Sequence, residues 1–118
     1  MASADYLLLS MDNVSPEEAK RLIDEEGARL IDCREDFEWD EMRIPGATLV
    51  PLSEYEMDPE EIEEAPITIF QCAHGNRSQT AAALYEGVHP GAKAYNLEGG
   101  ISAWMAKGLP TDLNPPSE

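Results

Sequence analysis

The sequence predicts an α/β domain, a parallel sheet covered by helices, and three observations carry that expectation. Segments with helical spacing alternate with short apolar segments along most of the chain. The apolar segments are short and β-branched, as suits the strands of a parallel sheet covered by helices. Between Thr68 and Thr80 an apolar run ends at Cys72, a tight polar loop follows, and a helix-like segment begins.

In chain order, Tyr6-Leu-Leu-Leu9 is a candidate short edge strand. Ser15 caps a helix that has Pro16 at its first position, Glu18 completing a capping box and Gly27 as its stop. Arg29-Leu-Ile-Asp-Cys33 is a buried strand. Residues 35–43 form a polar helix anchored by Phe37 and Trp39, which Ile44-Pro-Gly-Ala47 breaks before a strand over 48–50. Pro51 starts a further short helix. Residues 57–66 are an acidic connector with a turn or helix start at Asp58-Pro59. Residues 67–71 are the strand into Cys72, and the helix from Ser78 over 79–86 ends at Gly87. Lys93 to Leu97 is the last strand. Gly99-Gly100 bends the chain into a helix over 101–107 that carries Trp104, and residues 111–118 read as a loose tail.

At 118 residues the chain is expected to form one domain spanning 1–118, with its core over about 14–110. Its charge is strongly negative: 24 Asp and Glu against 8 Lys and Arg give a formal net charge of −16. That balance argues against nucleic acid as a partner, because phosphate binding needs basic clusters. Twenty of the 24 acidic residues lie at or before Glu64, which reads as a solvated face, salt adaptation or a surface for a basic protein partner. Two cysteines, Cys33 and Cys72, make no disulfide framework. No basic leader and no membrane-length apolar stretch is present, so the expected location is cytoplasmic, away from the membrane.

The chemistry concentrates at Cys72-Ala-His-Gly-Asn-Arg-Ser78. A thiol at a strand end, beneath backbone amides that open a helix, sits where an anion is favoured and its pKa should fall. Arg77 adds a fixed positive charge whose planar fork suits an oxyanion.

Four motifs in order resemble a known family: Leu30-Ile-Asp-Cys-Arg34, Ile44-Pro-Gly-Ala47, Cys72-Ala-His-Gly-Asn-Arg-Ser78 and Tyr95-Asn-Leu-Glu-Gly-Gly-Ile-Ser-Ala-Trp104. From about Val14 to Pro110 the chain resembles a single-domain rhodanese, a sulfurtransferase. The resemblance implies a three-layer α/β domain with a five-stranded, mostly parallel sheet. It implies that Cys72 carries sulfur as a persulfide, cradled by the loop amides of Ala73, His74, Gly75, Asn76, Arg77 and Ser78. It further implies a small anionic donor such as thiosulfate, a thiol or protein-cysteine acceptor (cyanide in an assay), and no metal or organic cofactor. Two positions depart from the family pattern: Arg43 stands where His is common, and Cys33 where Val is usual.

Spacing weighs against one rival and the retained cysteine against another. Five positions separate Cys72 from Arg77; cysteine phosphatases need one residue more, at Ser78 here, and usually carry His where this chain has Gln71. A phosphatase or arsenate-reductase-like activity is therefore disfavoured. A non-catalytic binding module often lacks the cysteine that this chain keeps. Asp32 and Arg34 are expected to pair at their strand end and support the site. Cys33 reads as a buried thiol that packs as a small hydrophobe, with a resolving role as the alternative. Cys33, Cys72, His74 and His89 fit no common zinc spacing.

Overall fold

The computed structural model describes residues 12–55 and 62–113. Five parallel strands form one sheet in the order β1-β6-β5-β2-β4: β1 is Asp12–Val14, β2 Arg29–Asp32, β4 Thr48–Leu49, β5 Ile67–Gln71 and β6 Lys93–Leu97. A separate two-stranded antiparallel ribbon joins β3 (Met42–Arg43) to β7 (Asp112–Leu113). The candidate strand at Tyr6–Leu9 and the turn at Asp58-Pro59 lie outside the described residues. Among the described residues the outer strands are β1, immediately before the first helix, and β4.

Five helices cover the sheet: α1 (Pro16–Glu26), α2 (Asp36–Glu41), α3 (Leu52–Tyr55), α4 (Arg77–Val88) and α5 (Gly100–Ala106). The strand pleat sorts the core into two layers. Leu30, Ile69 and Leu97 face α1 and α5, packing on Ala19, Leu22, Ile101 and Trp104. Ile31, Phe70 and Ala94 face the other way, on Ala81, Ala82 and Tyr85 of α4. None of the helices is long and apolar enough to cross a membrane among the described residues.

Several boundaries differ from the sequence expectation for identifiable reasons. Ser15 caps α1 by accepting from the Glu18 amide at 3.1 Å, worth about 1 kcal/mol. The Glu18 carboxylate does not close the capping box; it pairs with Arg21 instead. The polar helix α2 stops at Glu41, because Met42 and Arg43 are extended and pair with Leu113 and Asp112. Asp112 and Leu113 are therefore not part of a loose tail. Phe37 is 67% exposed and is no core anchor among the described residues, while Trp39 is half-buried beneath the Arg43 guanidinium. Helix α4 continues through Gly87 to Val88, since that glycine has ordinary helical backbone and its helix closes with His89 donating to Tyr85.

Candidate active site

Parallel strands all end on one edge of their sheet, and the residues after β2 and β5 lie there side by side. Asp32 is in register with Gln71, and the Cys33 amide donates to the Gln71 carbonyl at 2.9 Å. The next step along each strand sets Cys33 beside Cys72. Each is 1% exposed.

The loop after Cys72 folds over its thiol. The amides of Gly75 and Ser78 donate to Sγ at 3.2 and 3.4 Å, and the Ser78 hydroxyl lies 3.4 Å from it. Burial pushes the Cys72 thiol up, but the Ser78 hydroxyl and the amides of Ser78, Gly75 and His74 outweigh it and hold the pKa below the ordinary thiol value. Gly75 makes the turn possible. Its φ is +95°, and a Cβ there would stand 3.0 Å from the Gly99 amide nitrogen.

Helix α5 holds the other side of the loop. Ile101 donates its amide to the Cys72 carbonyl at 2.8 Å, and Ser102 donates to the Ala73 carbonyl at 3.1 Å. With their carbonyls tied outward, the loop residues can aim amides inward. Gly100 permits the approach: its φ is +61°, and a Cβ would fall 2.2 Å from the Cys72 oxygen. The glycine pair thus makes a close backbone contact as well as the bend expected of it.

The remaining expected site residues divide. His74 is exposed, with Nδ1 3.2 Å from the Ser102 hydroxyl. Asn76 is the N-cap of α4 without a side-chain hydrogen bond, and Ala73 contributes its carbonyl to α5. Asp32 accepts from the Arg34 guanidinium at 2.7 to 3.1 Å, and both are buried. Arg34 also donates to the carbonyls of Met42 and Glu38, so this pair fixes α2 against the strand end.

The Arg77 guanidinium is already ion-paired within the chain. Its Nη1 and Nη2 donate to the two oxygens of Glu38 at 2.8 and 2.9 Å, a bidentate pair reaching from α4 to α2. Glu38 also accepts from the Glu35 amide at 2.9 Å. The Arg77 hydrogen bond holds the Glu38 carboxyl at about 2, well below the usual carboxylate range.

Sequence reasoning missed Glu38, one acid among many in a polar segment. It also missed Asn96, which faces α4 from β6. The Asn96 amide nitrogen donates to Asn13 at 2.9 Å and to the Gly75 carbonyl at 3.4 Å, so its oxygen is left to accept the Ser78 hydroxyl. A hydroxyl has one proton and two lone pairs. While Cys72 is a thiol, Ser78 can give its proton to Asn96 and accept S–H; when Cys72 ionises, the proton can turn to Sγ. No side-chain signal short of the fold joins residues 13, 78 and 96. Among the described residues, no group of three or more potential ligands is placed to hold a metal.

Residues 15–107 match the family model described as the rhodanese-like domain. A sulfurtransferase of Allochromatium vinosum is 34% identical over 92 residues, 78% of this chain and 85% of that one. The thiosulfate sulfurtransferase GlpE of Actinobacillus pleuropneumoniae is 29% identical over 100 residues, 84% of this chain and 91% of that one. The crystal structure of a rhodanese-related protein from Thermoplasma volcanium superposes with a TM-score of 0.72 at 29% identity, covering 86% of this chain and 98% of that one. Other curated relatives are longer, and the chain spans about half of their length, 54% and 53%. The chain belongs to the rhodanese-like family.

Proposed function

From that membership, we infer that the protein is a sulfurtransferase working through a persulfide on Cys72. The observation that carries this reading is the pair of amides from Gly75 and Ser78 directed at Sγ. They favour the thiolate before reaction and the persulfide anion after it. The Cys72 thiolate attacks the outer sulfur of a donor such as thiosulfate. The S–S bond of the donor breaks, sulfite leaves with the electron pair, and Cys72–S–S⁻ remains in the loop. A thiophile then takes the terminal sulfur and restores the thiolate: cyanide, giving thiocyanate, in an assay, or a thiol or protein cysteine in the cell. A site that depends on a reduced thiol suits a reducing compartment such as the cytoplasm.

Intact mass after incubation with thiosulfate tests the reading beside a Cys72→Ser control. A gain of one sulfur atom, reversed by cyanide and absent from the control, is the expected result. An unchanged mass with every sulfane donor, in a protein of intact fold, would overturn it and leave a module that binds without reacting.

A further inference from the structure

The resemblance leads one to expect the loop arginine to meet the incoming anion, and the geometry points elsewhere. Each terminal nitrogen of Arg77 gives one hydrogen to Glu38, so the arginine's charge is already paired with a carboxylate. Glu38 is itself fixed, by the Glu35 amide and by Arg34, which ties the Glu38 carbonyl and the end of α2 to the buried Asp32. Among the described residues the other Lys and Arg side chains are engaged elsewhere. Five more of the chain's eight Lys and Arg are paired with carboxylates: Lys20 with Asp24, Arg21 with Glu18, Arg34 with Asp32, Lys93 with Asp12 and Lys107 with Glu17. Arg29 donates to the hydroxyls of Thr68 and Tyr85, and Arg43 to the Trp39 carbonyl.

We propose that Glu38 sets the charge class of the sulfur donor: by neutralising Arg77 it makes the site discriminate against dianions and favour donors carrying a single negative charge. This rests on the sulfur-transfer reading above. A dianion that approached Arg77 would meet the Glu38 carboxylate beside it, and would have to bind against that charge or displace it. A monoanionic donor makes no such demand. It needs only to bring its terminal sulfur to Cys72 Sγ, which the Gly75 and Ser78 amides hold whatever charge the rest of the donor carries. A persulfide borne on an uncharged thiol belongs to the favoured class, and thiosulfate to the disfavoured one.

Two probes separate charge from chemistry. Thiosulfate and methanethiosulfonate both present a terminal sulfur on an oxidised sulfur, and differ by one O⁻ exchanged for CH₃. With either, the Cys72 thiolate takes the terminal sulfur and the leaving group departs with the bonding pair, as sulfite or as methanesulfinate. The readout is the ratio of kcat/KM for the two donors. In Glu38→Gln, thiosulfate should gain about tenfold on methanethiosulfonate, through KM, the size of one charge-assisted hydrogen bond regained by Arg77. Glu38→Asp, which keeps the charge, should restore the wild-type ratio. Arg77→Gln perturbs the site in the opposite sense: the carboxylate loses its partner, and thiosulfate should fall further behind. A ratio unchanged in both Glu38→Gln and Arg77→Gln, or an equal shift for both donors, overturns the proposal. Failure of the underlying reading is distinct, because then neither donor leaves a sulfur adduct on wild-type Cys72 by intact mass.

Discussion

Cys33 and Cys72 end neighbouring parallel strands, one hydrogen-bonded step apart, and are equally buried. Their chemistry diverges all the same. Burial pushes the Cys33 thiol far up, and the charges of Cys72 and Asp32 push it further. The same burial at Cys72 is overcome by a loop that brings hydrogen-bond donors to the sulfur. The lesson is that depth alone makes a cysteine inert, and that reactivity comes from what the next six residues do. After Cys72 the chain turns back over its own thiol. After Cys33 it leads through Arg34 into α2.

Removing each thiol gives the largest contrast. Cys72→Ser should abolish the sulfur adduct and lower sulfurtransferase activity by about 10⁴-fold or more, as loss of a nucleophile does; steady-state rates and intact mass read both. Gly100→Ala attacks the loop from outside. A methyl group 2.2 Å from the Cys72 carbonyl, on a left-handed backbone, should cost about 4 kcal/mol in urea unfolding. Should it fold, Cys72 should alkylate as slowly as Cys33. A smaller step is Ser78→Ala, which removes a hydrogen bond that favours the thiolate. The Cys72 pKa then rises, so the thiolate is lost at a higher pH as the solution is acidified, and the acid limb of the kcat/KM profile moves upward. Activity at neutral pH should fall about tenfold.

Gln71 immediately precedes Cys72 on β5, and both polar atoms of its buried side chain lack a hydrogen-bond partner among the described residues. Gln71→Met should stabilise the fold by about 1 to 2 kcal/mol, since an unsatisfied buried amide costs about that much; the urea midpoint reads it. Cys33→Val should be the mildest change. Activity should stay at the wild-type level and stability should move by less than about 1.5 kcal/mol, because the side chain packs with Ile31, Phe70 and Ala81. Activity lost in Cys33→Val would break the contrast, by showing that the quiet thiol takes part.

The same contrast shows what the sequence can and cannot tell. The strands around Cys72 and the helix after it are local: apolar runs, a cap, a tight loop. They were readable, as was the order of elements that builds the sheet. Glu38 and Asn96 were not, because their partners lie 39 and 18 residues away in the chain and no periodicity links them. The ribbon of β3 and β7 was hidden for the same reason, its two halves being short and far apart. Phe37 misled because an aromatic in a polar helix invites a core role, yet the described structure leaves it in solvent. Arg77 is a different case: its planar fork suits a carboxylate as well as it suits an oxyanion, and its pairing with Glu38 is visible only once α2 is placed.

The tie between α5 and the Cys72 loop also bears on timing during synthesis. Cys72 leaves the ribosome well before Gly100, Ile101 and Ser102, whose backbone fixes the loop carbonyls from outside. Until those residues emerge and dock, the nascent chain carries an ordinary, mostly protonated thiol. The loop around Cys72 thus depends on backbone donors that lie far downstream in the chain, and a polypeptide that stops short of α5 lacks them.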